Sequence, residues 1–129
     1  MNIIFICSGN TCRSAMAQHL MEKMVEENNK ENIHVYSCGI YADSGELATY
    51  NAIEAMKEYN VDMQNHRATN INEIDMEKMD LILCATVSHK QMVLNMYPHL
   101  SGKVYTIKEY SDIGKEGQDM DISDPCNKV

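Results

Sequence analysis

Short apolar runs alternate along the chain with segments of helical period, and this alternation predicts a parallel sheet with helices on both faces. The runs that predict buried strands cover residues 2–6, 33–38, 81–84 and 103–107. Helical periods predict helices over 14–27 and 47–59, a short third helix from Asn70 or Asn72 to Met79, and a fourth that Ser88 caps and Pro98 ends. Ligand sites in such sheets lie at the carboxyl ends of the strands, where Cys7 stands.

Composition predicts one soluble domain. A chain of 129 residues, 44% hydrophobic and 23% charged, is long enough to bury one core but not two. The apolar run at 3–6 is far too short to cross a bilayer and lacks the flanks of a signal peptide. We therefore expect a single domain over 1–129, located in the cytoplasm.

Charge and cysteine usage exclude several classes of partner. A net charge of −8 disfavours nucleic acid and anionic membranes. Five cysteines at irregular spacings favour reduced thiols over a disulfide framework. The histidines show no metal-ligand spacing, and the eleven methionines fit core packing better than a metal site. We expect no metal and no cofactor.

Residues 7–14, which read CSGNTCRS, carry the strongest chemical signal. An apolar strand ends in a cysteine, five residues follow, and an arginine and a serine open a helix. A loop that wraps onto a helix N-terminus aims several backbone N–H groups and the helix dipole at one point, where an anion binds. We call residues 7–14 the phosphate loop.

The side chains of the phosphate loop suit phosphoryl transfer. The field at the helix N-terminus favours the thiolate of Cys7, which we expect to be the nucleophile. Arg13 has the planar fork that binds two phosphoryl oxygens. Ser14 has a hydroxyl that can donate to the thiolate, and Gly9 and Asn10 suit the positive φ angles of a tight loop.

A general acid is the other requirement. Asp124, followed by Pro125 on a stiff turn, is the candidate. It would protonate the leaving group and later accept a proton from the attacking water. Together with the phosphate loop, this carboxyl predicts a cysteine phosphatase.

Nearly the whole chain resembles the low-molecular-weight protein tyrosine phosphatase family. The resemblance rests on the phosphate loop followed by Ala15-Met16-Ala17, on Ser37-Cys38-Gly39, Asn65-His66-Arg67, Asp80-Leu81-Ile82-Leu83, His89-Lys90 and Lys108-Glu109-Tyr110, and on 121–125. It implies a four-stranded parallel sheet with flanking helices. It also implies that Cys7 is the nucleophile, Arg13 the phosphate clamp and Asp124 the acid. Asn10, Ser14 and His66 resemble the family's network that shapes the loop.

The resemblance also bears on substrate. Substrate-binding residues are expected to be Ser8, Gly9, Asn10, Thr11, Cys12, Ser14 and Tyr41. Thr11 stands where tyrosine-directed members carry an aliphatic residue, and bacterial protein arginine phosphatases resemble this chain in having threonine there. A hydroxyl suits the polar guanidinium of phosphoarginine, so phosphoarginine is favoured over phosphotyrosine. Tyr41 is either one wall of the pocket or a surface tyrosine.

Two departures from the family pattern concern the C-terminal region. Cys126-Asn127 follows Asp124-Pro125 where the family places an aromatic residue, which suggests a wider pocket. The family's C-terminal helix has no counterpart before Val129. The chain is then either a shortened product or one with an open sheet face that a second molecule covers.

Arsenate reduction is a rival interpretation, since arsenate reductases share the loop and relay a disulfide through further cysteines. Cys38, Cys84 and Cys126 are the candidates for that relay, but no second cysteine closely follows Cys84. A disulfide between Cys7 and Cys12 would be regulatory and compatible with phosphatase activity. We expect phosphorylated proteins as partners and a monomer or weak dimer.

Overall fold

The computed structural model of the protein describes residues 1–111. Strands and helices alternate in this range as predicted. Their bounds are β1 Asn2–Cys7, α1 Arg13–Glu27, β2 His34–Gly39, α2 Tyr50–Lys57, β3 Leu81–Cys84, α3 Val87–Met96, β4 Val104–Thr106 and α4 Ile107–Ser111. Three 3₁₀ turns lie at Ile71–Glu73, Met76–Lys78 and Pro98–Lys103.

The four strands form one sheet in the order β2-β1-β3-β4, with every neighbouring pair parallel. This confirms the predicted four-stranded parallel sheet. β1 lies between β2 and β3, so that Cys7 pairs with Gly39 and Ile6 pairs with Cys84. The carboxyl ends of three strands therefore meet around the start of the phosphate loop.

Alternate residues of β1 enter the cores on the two faces of the sheet. Ile4 and Ile6 are fully buried on the face that also contains Ile82 and Val93 of α3. Phe5 lies on the opposite face, where Ala17, Met21 and Val25 of α1 pack against the strands. A strand that is apolar on both sides needs cover on both faces, and the helices supply it.

Two predicted helix starts differ from the structure. Thr86, not Ser88, caps α3: its hydroxyl accepts the backbone N–H of His89 at 3.1 Å while its own backbone is extended. The third predicted helix is instead two 3₁₀ turns, because Ile74 between them adopts an extended conformation. The Asn70 cap is present and accepts the N–H of Asn72 at 2.9 Å.

Other elements also differ in extent from those predicted from the sequence. α2 is shorter than the predicted helix over 47–59, and α4 was not predicted at all. Met24 of α1 is 61% exposed, although its spacing from Ala17 and Met21 fits the apolar side of the helix. Within residues 1–111, no helix combines the length and the apolar character that a membrane crossing requires.

Candidate active site

The phosphate loop connects the last residue of β1 to the first residue of α1. Cys7 is only 3% exposed at the end of the strand, and Arg13 opens the helix. Gly39, at the end of β2, lets the loop come close, because a Cβ there would lie 2.5 Å from the Ser8 carbonyl oxygen and 2.9 Å from the Asn10 nitrogen. Any larger residue at position 39 would push the loop away.

Donors outside the phosphate loop hold four of its carbonyl groups. The carbonyls are those of Cys7, Ser8, Asn10 and Thr11. The Cys7 carbonyl accepts the Ile40 N–H at 3.0 Å, and the Ser8 carbonyl accepts the Tyr41 N–H at 2.9 Å. The Asn10 carbonyl accepts the Nε2–H of His66 at 2.8 Å. The Thr11 carbonyl accepts the Thr49 N–H at 3.0 Å. In a planar trans peptide the N–H points opposite to the C=O. The N–H groups of Ser8, Gly9, Thr11 and Cys12 therefore face the inner side of the loop, as an anion site requires.

Asn10 is the structural centre of the loop. Its φ is 56°, and it is completely buried. Its Nδ2 donates to Ser14 Oγ at 2.9 Å and to Ser37 Oγ at 2.8 Å, and its Oδ1 accepts the Thr69 N–H at 2.8 Å. These bonds hold a left-handed conformation that an ordinary side chain disfavours.

The same expectation for Gly9 was wrong. Its φ lies outside the positive region, and a Cβ there would have only an ordinary contact, 3.6 Å from Thr11 Oγ1. The loop needs one left-handed residue, and Asn10 supplies it because its amide is bonded on every side.

The Ser14 hydroxyl lies against the Cys7 sulfur. Ser14 Oγ lies 2.9 Å from Cys7 Sγ and accepts a hydrogen from Asn10 Nδ2. Its single hydrogen has two acceptors, the sulfur and the Cys38 carbonyl at 3.4 Å, and a thiolate is the nearer and the stronger of the two. The Asn10 N–H also donates to Cys7 Sγ, at 3.3 Å. Two donors thus face the sulfur and stabilise a thiolate.

Ser37 and Gln18 form an outer layer that the sequence analysis did not assign to the site. Ser37 Oγ accepts from Asn10 Nδ2 and donates to Gln18 Oε1. Ser37 is nearly buried near the end of β2. Its position near the carboxyl end of a predicted strand is the sequence feature that could have indicated its role in the site. Nothing in the sequence around Gln18 indicated its role.

A second network supports Ser8. His89 Nε2 lies 2.8 Å from Ser8 Oγ, and His89 Nδ1 lies 2.8 Å from Thr86 Oγ1. The N-terminal cap of α3 therefore also anchors the residue that follows Cys7. His89 was quoted only as part of the family resemblance, and its contact with the loop is set by the neighbouring strands β1 and β3.

His66 lies against the phosphate loop, 2.8 Å from the Asn10 carbonyl. It is 7% exposed, and its Nδ1 lies 3.0 Å from His19 Nε2. Burial lowers the pKa of His66, although its bond to the Asn10 carbonyl acts in the opposite direction. Burial also lowers the pKa of His19.

Two further thiols lie in the sheet beside Ile6. Cys38 and Cys84 are fully buried. Burial raises the pKa of the Cys84 thiol to about 12. The pKa of the Cys38 thiol is also raised, mainly by burial and to a smaller extent by the nearby Cys7. Such protonated thiols are weak nucleophiles.

The remaining predicted residues are placed as follows. Thr11 is half-buried in the loop, and Cys12 is buried directly before α1. The N–H of Tyr41 contacts the loop, but its ring is 69% exposed and its hydroxyl lies 3.7 Å from Met92 Sδ. Asp124 and Cys126 lie outside the described residues.

Comparison with known proteins identifies the relatives of this arrangement. Residues 2–129 match the family described as low molecular weight phosphotyrosine protein phosphatase. A protein-arginine-phosphatase of Bacillus subtilis is 39% identical over 125 residues, which cover 97% of this chain and 79% of that protein. The tyrosine phosphatase PtpB of Staphylococcus epidermidis is 31% identical over 126 residues, covering 97% and 81%.

A solved structure of the arginine phosphatase YwlE is similar over the whole chain. It is a cysteine-to-serine mutant with a phosphorylated active-site serine. It superposes with a TM-score of 0.88 at 36% identity, covering 100% of this chain and 81% of that one.

Proposed function

Because the chain belongs to the low molecular weight phosphotyrosine protein phosphatase family, and is thus a cysteine-based protein phosphatase, we propose that it acts on phosphoarginine in proteins. The observation that carries this proposal is Thr11. Its hydroxyl lies on the phosphate loop, 3.6 Å from the position that a Cβ on Gly9 would occupy. Two relatives, from Bacillus subtilis and Geobacillus stearothermophilus, are named protein-arginine-phosphatase and are 39% and 33% identical to this chain.

In the first step, Cys7 Sγ attacks the phosphorus atom while the bond from phosphorus to the guanidinium nitrogen breaks. Asp124 gives its proton to that nitrogen, which leaves as arginine. The inward N–H groups of the loop and the fork of Arg13 bind the three phosphoryl oxygens, where negative charge spreads in the transition state. The phosphorylated serine of the YwlE mutant supports a covalent intermediate at this position.

In the second step, water attacks the phosphocysteine and the sulfur–phosphorus bond breaks. Asp124, now a carboxylate, takes the proton of that water, and phosphate leaves. The sulfur departs as a thiolate. The Ser14 hydroxyl at 2.9 Å and the Asn10 N–H at 3.3 Å stabilise it, which lowers the barrier to its departure.

Phosphotyrosine hydrolysis is the second candidate. Several relatives, including PtpB, are named tyrosine phosphatases, and the exposed ring of Tyr41 next to the loop would suit an aromatic substrate. Arsenate reduction is the less favoured alternative. It needs a resolving thiolate, and burial keeps Cys38 and Cys84 protonated.

The test compares hydrolysis of a phosphoarginine peptide and a phosphotyrosine peptide of the same sequence, with arsenate reduction measured in parallel. Cys7→Ser is the blank for all three. We expect kcat/KM to be higher for the phosphoarginine peptide than for the phosphotyrosine peptide. Thr11→Ile should change the ratio of these two kcat/KM values by about 10- to 100-fold in favour of phosphotyrosine and so reverse the preference, because an aliphatic side chain removes a polar contact. Thr11→Ser is the matched control and should keep the preference. A phosphotyrosine preference in the unsubstituted protein would contradict the proposal.

A further inference from the structure

The supports of the phosphate loop are chemically unequal. Three of the four carbonyl groups described above are held by backbone N–H groups, which donate at every pH. The fourth, that of Asn10, is held by the imidazole of His66. A neutral imidazole carries one N–H and has two forms, the tautomers with hydrogen on Nδ1 or on Nε2. Only the form with hydrogen on Nε2 can hold this carbonyl.

The form adopted by His66 matters because the peptide after Asn10 is planar. A carbonyl directed at His66 places the Thr11 N–H on the inner side of the loop. If His66 carried its hydrogen on Nδ1 instead, its Nε2 lone pair would face the carbonyl oxygen and repel it. The Asn10–Thr11 peptide would then lose its support, and one inward N–H would lose its fixed direction.

His19 occupies the position that decides between the two forms. Its Nε2 lies 3.0 Å from His66 Nδ1, with the rings edge to face at 5.1 Å. When His66 Nε2 donates to the carbonyl, a neutral His66 has a lone pair on Nδ1. When His66 is neutral, His19 Nε2 is therefore the donor of this bond. His19 Nδ1 then has a lone pair 3.3 Å from Glu22 Oε1, and this contact is favourable when the Glu22 carboxyl carries a hydrogen, which burial promotes by raising the pKa of Glu22.

The surroundings of this pair explain why a fixed donor is useful. A groove of about 300 Å³ opens beside both rings and is also lined by Tyr36 and Arg67. Water in this groove could either donate to His66 Nδ1 or accept from it, so water would not select a form. The charged groups facing the pair are Glu22 on α1 and Arg67 next to His66. Burial disfavours a positive charge on either ring.

We propose that His19 is a positioning residue of the active site: its Nε2–H fixes His66 in the form that holds the Asn10 carbonyl and thereby aims the Thr11 N–H at bound phosphate. This inference rests on the proposed function only in taking the loop as the phosphate site. It does not depend on which phosphoamino acid is hydrolysed.

The experiment compares His19→Leu, which removes the donor, with His19→Gln, which keeps an N–H donor at a similar reach. His99→Leu is the matched control, since His99 is an exposed histidine paired with Glu77. Nitrogen-15 NMR at neutral pH reports which nitrogen of His66 carries hydrogen. Competitive inhibition by inorganic phosphate reports the affinity of the loop for phosphate, whatever the protein substrate is.

We expect His19→Leu to give His66 a mixture of both forms and to weaken phosphate binding about three- to tenfold, the effect of one neutral hydrogen bond. His19→Gln should keep the Nε2–H form and bind phosphate within about twofold of the unsubstituted protein. The inference is wrong if His66 keeps a single form in His19→Leu, or if His19→Gln loses as much affinity as His19→Leu. Should phosphate fail to bind the unsubstituted protein, the proposed function fails, and the NMR result still decides the role of His19.

Discussion

Ile6 and Asn10 are four residues apart and both completely buried, but they are held by different forces. Ile6 lies between two strands and among apolar side chains, where burial of surface stabilises it in any suitable packing. Asn10 is held by directional bonds of its amide, its N–H and its carbonyl to partners on four other segments, which are β1, α1, β2 and residues 66–69.

The same contrast separates two regions of the molecule. Among the described residues, the sheet interior is apolar, and the buried polar side chains lie around the carboxyl ends of the strands: Asn10, Ser14, Ser37, His66, His89 and Thr106. Buried polar groups stabilise a structure only when all their bonds are made. We therefore expect the interior to set the stability of the fold and the polar edge to set its chemistry.

The largest effect should come from the interior. Ile82→Ala would leave a cavity beside Ile4 and Ile6 and lower the free energy of unfolding by about 2–5 kcal/mol. Denaturant unfolding measures this loss, and kcat/KM per folded molecule should stay within about twofold. Ile82→Val is the control and should cost about 0.5–1.5 kcal/mol. A large loss of kcat/KM in folded Ile82→Ala would contradict the separation of the two regions.

The next effect should come from Asn10→Asp, which should lower kcat/KM per folded molecule and also cost stability, because a carboxylate replaces a completely buried and fully bonded amide. This change keeps the shape and the bond to the Thr69 N–H, but it replaces a donor with a carboxylate. The Ser14 hydroxyl would then donate to the carboxylate instead of to Cys7 Sγ. We expect kcat/KM to fall about 10- to 100-fold, equal to about 1.4–2.7 kcal/mol.

Asn60→Asp is the matched control for this change. Asn60 also has a positive φ, 59°, but it is exposed. The same change of charge there should leave kcat/KM unaltered. Equal losses at positions 10 and 60 would mean that charge, and not the direction of the hydrogen bonds, is responsible.

The smallest effect should be on the pH dependence of stability. Burial lowers the pKa of His66 and His19 in the folded protein, so the unfolded chain binds more protons below about 6.5. The free energy of unfolding should be constant above this pH and fall as the pH drops below it. Burial raises the pKa of Glu22, which opposes the trend at lower pH.

Thermal unfolding between about pH 7.5 and pH 5.5 measures this dependence. Replacing the pair, as in His66→Asn combined with His19→Gln, should flatten the curve, whereas His99→Gln should not. If the double variant keeps the full pH dependence, other groups than this pair cause it.

Elements that depend on local sequence were predicted well. The bounds of β3 agreed with the apolar run at 81–84, and the phosphate loop connects β1 to α1 as its residues indicated. The choice between neighbouring candidates for a helix cap was harder to predict from the sequence. Thr86 and Ser88 both suit a helix cap, and in the structure the extended backbone of Thr86 and its bond to the His89 N–H make Thr86 the cap.

The sequence by itself determined the order of strands and helices, the identity of the loop side chains and their likeness to one family. These follow from spacing over a few residues, where periodicity and turn chemistry act. Apart from His66, which the likeness to the family indicated, only the tertiary structure decided which residues outside the loop support it. His66, Ser37 and Thr49 are distant from it in the chain and reach it because the parallel sheet brings its carboxyl ends together. His19 contacts His66 because the helix that opens at Arg13 turns this second-turn side chain toward that edge, a geometry that no local pattern encodes.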